Sequence, residues 1–283
     1  MNGAVRVLAV RDLQVRFGSE VGVVHAVRGV DLTLAAGRTL GLVGESGSGK
    51  SAIGLAIMGL LPAHARTQGS VRLAGTELLG LDDVAMSRHR GVDLGMVFQD
   101  PAGALTPVLT VGAQVEEALR IHGVSRRAAA ERALALLELV GLLDPRRAAL
   151  AYPHEISGGQ RQRVAIAIAV ANEPAVVIAD EPTTALDTCV QAQVLSVLRH
   201  TTRELGAALL LITHDLAVVA GLADDVAVIR AGRIVELAPA QQLYAAPAHP
   251  YTRRLLRATP RIDSPPAPRT LGPPTPRRPL DDT

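Results

Sequence analysis

The segment Gly44-Glu45-Ser46-Gly47-Ser48-Gly49-Lys50-Ser51 constrains this chain more than any other. It has the spacing G-x-x-x-x-G-K-[ST], a loop whose glycines let successive backbone N–H groups wrap a phosphate. Among the 29 lysines and arginines, Lys50 alone is a lysine. An ammonium on a flexible stem enters a tight loop as a point charge, a task the planar guanidinium fits poorly. The apolar run 39–43 reads as a short strand leading into the loop, and 51–61 as a helix ended by Pro62. Strand, glycine loop and helix in that order require an α/β unit.

The rest of the chain fits that class. Residues 5–17 and 23–34 alternate apolar and polar side chains, as half-buried strands do, with 18–22 as the turn. They predict an antiparallel β layer added to a largely parallel sheet. Further short strands are expected at 70–73, 94–98, 176–179 and 208–213, and a hairpin at 225–237 around Ala231-Gly232. Residues 110–143 change character. Leu134, Leu137 and Val140 fall at helical spacing, with a break at His122-Gly123, so an inserted helical subdomain is expected. Helices are also predicted at 157–171, 188–205 and 251–258. Residues 260–283 hold eight prolines and no apolar period, which predicts disorder.

Composition narrows the function. Hydrophobic residues make up 48% and charged residues 20%, as in a globular chain. A net charge of +2 is too small to argue for nucleic acid. The single cysteine, Cys189, excludes an internal disulfide and is expected to be buried or half-buried. No run reaches the ~18 apolar residues of a membrane span, and the N-terminus lacks a signal pattern. A chain neither secreted nor membrane-spanning is expected, although it could dock on a membrane protein.

Three segments carry chemistry. In the first, Lys50 is placed to reach β- and γ-phosphates and the Ser51 hydroxyl to ligate Mg²⁺. In the second, the apolar run 176–179 delivers Asp180 and Glu181 at a strand's carboxyl end, where ligands of open sheets bind. Asp180 would hold Mg²⁺ and Glu181 would act as general base toward water. The third, Ser157-Gly158-Gly159-Gln160, offers a hydroxyl and N–H groups at a helix N-terminus. One nucleotide needs only one phosphate loop, so this second anion site suggests two halves of a composite site.

Residues 157–163, SGGQRQR, resemble the signature motif of ATP-binding cassette (ABC) ATPases. Gln99 matches the family's Q-loop glutamine, which senses Mg²⁺ and water. Ala185-Leu186-Asp187 matches its D-loop, and His214 its switch histidine near the γ-phosphate. Phe17 falls where the family places an aromatic that stacks on adenine; core filling is the other reading of Phe17. The resemblance covers about residues 5–260. It implies a RecA-like core, an antiparallel β subdomain and a helical subdomain at about 101–170. ATP and Mg²⁺ are the implied ligands. It also implies head-to-tail dimers, in which the signature of one cassette closes on ATP held by the other.

Finer resemblance points to ATPase subunits of peptide and nickel importers. It rests on Tyr152-Pro153-His154-Glu155, on 100–111 and 179–187, and on His249-Pro250-Tyr251-Thr252 of an extension at 249–260. Residues 60–68, read as a helix and turn, are reminiscent of the nickel members. This chain has no cysteine after Cys189, so the iron–sulfur-like cluster of many peptide-importer subunits is not expected. The resemblance implies a peripheral place on the cytoplasmic face of a membrane. Its implied partners are a second cassette subunit (a heterodimer, or else a homodimer), two permeases and an external substrate-binding protein. A soluble ABC ATPase of DNA repair or translation is the alternative, favoured only by the basic tail. A degenerate, non-catalytic subunit is disfavoured by intact Lys50, Gln99, Asp180, Glu181 and His214.

Overall fold

The computed structural model describes residues 6–19, 22–184 and 186–258. The disorder expected of 261–283, and Ala185 of the D-loop, lie outside the described residues. In chain order the elements begin with β1 (Arg6–Ser19), β2 (Gly22–Ala35), β3 (Thr39–Val43), α1 (Lys50–Ile57), β4 (Ala65–Leu73), β5 (Thr76–Glu77), α2 (Asp83–Ser87) and β6 (Leu94–Val97). Four helices follow, α3 (Pro101–Ala104), α4 (Val111–Arg120), α5 (Arg126–Leu139) and α6 (Pro145–Leu150), then a 3₁₀ turn at Pro153–Glu155 and α7 (Gly158–Ala169). The chain returns to the sheet through β7 (Val176–Asp180), α8 (Thr188–Glu204), β8 (Ala208–Thr213), α9 (Leu216–Ala220) and β9 (Asp225–Arg230). It closes with β10 (Arg233–Pro239), α10 (Ala240–Ala245) and α11 (Pro250–Ala258).

Two sheets organise these elements. The larger has the order β10-β9-β3-β8-β7-β6, parallel throughout except for the β9–β10 hairpin. The smaller, β2-β1-β4-β5, is antiparallel. The central parallel strands are buried on both faces, as continuous apolar runs require. Their period of two then divides the core. Leu42, Ile178, Leu210 and Ile212 face α1 and the smaller sheet, packing with Leu13, Val27 and Ile57. Val43, Val177, Ala179 and Leu211 face the opposite way, toward α8, α9 and the helices inserted between β6 and β7.

Three differences from the sequence reading have a plain physical cause. First, α1 stops at Ile57, four residues short of the expected end. Gly59 takes φ 62°, its N–H donates to the Ala56 carbonyl at 3.2 Å, and that of Leu60 to the Leu55 carbonyl at 2.8 Å. A left-handed glycine with this pair of bonds ends a helix firmly, so Gly59 and not Pro62 is the stop. Second, β4 starts at Ala65, inside the segment read as helix and turn, and pairs Ala65 with Phe17 and Thr67 with Val15. The polar run 66–69 is exposed, so no apolar alternation announces it. Third, Cys189 is exposed, not buried. The buried face of α8 carries Val194, Leu195 and Leu198, and Cys189 lies half a turn or so away from it.

Candidate functional site

Four neighbouring parallel strands end at one edge of the large sheet. β3 runs into the glycine loop, β8 ends one residue before His214, β7 ends at Asp180 followed by Glu181, and β6 ends two residues before Gln99. A cavity of about 670 Å³ lies there, lined by residues of the glycine loop including Lys50 and Ser51, by Gln99, Glu181 and His214, and by Ala26 and Leu255.

The glycine loop is tightly built. Gly49 has φ 103°, and a Cβ there would meet the Ala26 carbonyl oxygen at 2.2 Å, so only glycine fits. Lys50 is 4% exposed, and its ammonium donates to the carbonyls of Gly44 at 2.8 Å and Glu45 at 2.9 Å. Burial pulls the Lys50 pKa below its usual value, against the opposing charges of Glu181 and Asp180. Ser48 is buried; among the described residues its hydroxyl has no hydrogen-bond partner, and it is not part of the cavity wall.

Across the cavity the Ser51 hydroxyl donates to Asp180 Oδ1 at 3.0 Å. Burial raises the Asp180 carboxyl above the usual range, with Glu181 pushing the same way and the Ser51 bond and Lys50 pulling down. Glu181 gathers three side-chain contacts. Its Oε1 lies 3.2 Å from His214 Nδ1, and its Oε2 accepts from Thr184 at 3.0 Å and Gln99 at 3.4 Å. Its φ of 45° places a non-glycine residue in the left-handed region, fixed by its N–H to the Ile212 carbonyl at 2.8 Å. Backbone strain of this kind collects at functional sites, and nothing in the sequence announced it.

The other expected site residues sit elsewhere in the chain. Ser157 caps α7, accepting the Gln160 N–H at 3.3 Å while the Gln160 side chain accepts the Ser157 N–H at 2.9 Å. A Cβ on Gly159 would meet Val190 Cγ1 at 2.5 Å, so α7 seats closely on α8. Asp187 caps α8 through the Val190 N–H at 3.0 Å. Ser157, Gly158, Gly159, Gln160 and Asp187 do not line the cavity around Lys50. Phe17 is partly buried against the core shared by α1 and the smaller sheet, with its ring 5.9 Å from that of His64, and it too is absent from the cavity wall. Sequence reasoning did not foresee Tyr251 and Leu255 here. Tyr251 Oη receives the Glu45 N–H at 3.4 Å although 206 positions separate the two.

Residues 27–184, more than half of the chain, match the ABC transporter family. The chain belongs to the ABC transporter family. Residues 235–279 match a second family, the C-terminal region of oligopeptide/dipeptide transporters. The chain is 54% identical over 259 residues to the oligopeptide transport ATP-binding protein OppD of Mycobacterium tuberculosis. That match covers 91% of this chain and 42% of the relative, so the chain spans less than half the length of that protein. It is 47% identical over 261 residues to the dipeptide transport ATP-binding protein DppD of Bacillus subtilis, covering 91% of this chain and 78% of that one. Among solved structures, the dimeric post-hydrolysis state of the ATP-binding cassette MJ0796, bound to ADP and Pi, superposes with a TM-score of 0.72. It is 28% identical, with 82% of this chain and 98% of that chain covered. The ABC cassette fold and the resemblance to the peptide branch agree with the reading from sequence. The match at the C-terminus also accounts for the segment around His249, Pro250 and Tyr251 by family and not by local chemistry.

Proposed function

We propose that this chain is the ATP-hydrolysing subunit of an importer for peptides or dipeptides. One observation carries the reading. Lys50, Ser51, Gln99, Glu181 and His214 line one cavity at the carboxyl edge of the sheet, with Asp180 bonded to Ser51. Lys50 binds β- and γ-phosphate oxygens, leaving the Gly44 and Glu45 carbonyls in part to do so. The N–H groups of Gly47, Gly49 and Lys50 and the positive end of α1 add to that hold. Glu181 takes the proton of the attacking water, held in place by His214, Gln99 and Thr184. His214 also faces the γ-phosphate, while the packing of Phe17 against the core, off the cavity wall, favours core filling over adenine stacking for that ring.

Ser51, Asp180 and Gln99 fit a Mg²⁺ site. Among the described residues no three His, Cys, Asp or Glu side chains converge as a metal cage. Mg²⁺ keeps several waters and takes one or two protein ligands plus substrate phosphates, and the Ser51 hydroxyl bonded to Asp180 offers such a pair. Mg²⁺ held there would supply charge neutralisation for the phosphate oxygens.

The signature residues Ser157, Gly158, Gly159 and Gln160, with Asp187, serve the cavity of a second cassette in a head-to-tail dimer. A related second subunit is favoured over a second copy. Within the helical subdomain at roughly 101–170, the stretch 111–143 supplies the face that meets the permeases. Ile121 and Leu143 of that stretch are exposed apolar side chains. Two permeases within the membrane and an external substrate-binding protein complete the assembly, with this chain on the cytoplasmic face. Among the described residues no helix is long and apolar enough to cross it.

The test is co-purification of the tagged chain from detergent-solubilised native membranes. Two permeases with a second cassette subunit are the expected partners, and the accompanying binding protein is then screened against peptides and Ni²⁺. Selective Ni²⁺ binding would move the substrate to the nickel branch. Recovery in the soluble fraction alone, with ribosomal or DNA-bound partners, would overturn the importer reading.

A further inference from the structure

We infer that Tyr251 is a positioning residue of the phosphate loop, through which the C-terminal helix α11 sets the chain's affinity for nucleotide; this rests on the nucleotide reading above. The two backbone groups of Glu45, which belong to successive peptide units, are held by different partners. Its carbonyl accepts the Lys50 ammonium at 2.9 Å, and its N–H donates to Tyr251 Oη at 3.4 Å. When Lys50 turns to a phosphate, the first of these contacts weakens. The Glu45 carbonyl keeps the Ser48 N–H at 3.2 Å, and on the N–H side of Glu45 the tyrosine hydroxyl is a contact that does not involve Lys50.

Tyr251 is itself firmly seated. It is 2% exposed, with the Arg230 and Arg254 guanidinium groups 5.0 and 5.6 Å from its ring centre. Arg230 ends β9, whose Ile229 carbonyl lies so close to Gly44 that a Cβ there would meet it at 2.3 Å. The ring is therefore wedged where β9 meets the start of the loop. The start of α11 is pinned from β10. Glu236 accepts the Ala248 N–H at 2.7 Å and the His249 N–H at 3.0 Å, and His249 Nδ1 accepts the Tyr251 N–H at 3.1 Å. Leu255, one turn beyond Tyr251, lines the phosphate cavity itself. A chain of contacts thus runs from β10 through α11 to the backbone of the loop.

Tyr251→Phe in the full chain removes the hydroxyl and keeps the ring between its two arginines. Three quantities are compared with wild type: the dissociation constant for Mg·ATP by calorimetry, the exchange rate of the Glu45 amide, and the unfolding midpoint without nucleotide. A hydrogen bond of this kind is worth about a two- to tenfold change in affinity. The expected result is a dissociation constant raised by that factor, faster Glu45 exchange and an unchanged midpoint, with KM rising more than kcat falls. Glu236→Gln, which loosens the seat of α11 without touching the loop, should shift affinity in the same direction. Unchanged affinity and exchange in Tyr251→Phe overturn the inference. So does a loss of affinity no larger than that of Leu243→Ala, a destabilising control in α10, at matched stability. A folded wild-type chain that takes up no ATP overturns the nucleotide reading and this inference with it.

Discussion

The Glu181 carboxylate and the His214 imidazole stand 3.2 Å apart, at the ends of two neighbouring strands that are separated in sequence by the whole of α8. The same carboxylate accepts from Gln99 and Thr184, so one side chain gathers contacts from three parts of the chain. Its backbone φ of 45° aims it into the cavity at a cost that the surrounding sheet sustains.

Glu181→Gln keeps the size and hydrogen-bonding reach of this side chain and removes its basicity. The variant is expected to bind ATP, lose roughly 10²–10⁴-fold in hydrolysis, and accumulate as a closed dimer. Steady-state phosphate release and light scattering with ATP check this. Turnover at an undiminished rate would assign the base elsewhere.

Lys50→Ala removes an ammonium that is 4% exposed and bonded to two loop carbonyls. Its desolvation already costs stability, so the folded chain should be little affected. ATP affinity should fall at least about tenfold, the order expected for losing a charged hydrogen bond, and hydrolysis should vanish. Calorimetry with thermal unfolding of the same sample separates the two effects. Wild-type turnover would sink the loop's assignment.

Gly95 gives a prediction about stability alone. It lies in β6, and a Cβ there would meet the backbone carbonyl oxygen of Ala169, at the end of α7, at 2.1 Å. Backbone cannot swing aside as a side chain can. Gly95→Ala should therefore destabilise by about 1–3 kcal/mol, measured by denaturant unfolding, and move α7 with its signature residues. A variant as stable as wild type would contradict the close seating of α7 on β6.

Glu236 predicts a pH dependence. Burial pushes its carboxyl up, but the hydrogen bonds it receives, among them those of Ala248 and His249, outweigh that and leave it below the usual range. A carboxyl lowered on folding contributes stability that is fully present above its unfolded pKa of about 4.3. The contribution is lost as pH falls through the lower folded value. Wild type should be more stable than Glu236→Gln at pH 7, and the gap should close below about pH 4. Paired thermal melts across pH test it. A gap that widens in acid would reverse the sign of the argument.

What the sequence determined alone were features written in contiguous residues. The glycine loop with Lys50 and Ser51, the apolar strand ending in Asp180 and Glu181, and the capped glycines at 157–160 each occupy one short segment. Local chemistry therefore names them. Alternation and helical spacing likewise set out most strands and helices, because burial repeats with the period of the element. Tertiary structure decided the rest. It set β4 beside β1 from Ala65 by pairing alone, although 66–69 carry no apolar pattern, and it ended α1 at Gly59 by backbone geometry. It left Cys189 exposed on a helix whose buried face could be fixed only by its neighbours. Above all, it brought Tyr251 to Glu45 across 206 positions. Such a contact depends on how β9, β10 and α11 pack around the end of β3, and no pattern within any one of those segments encodes it.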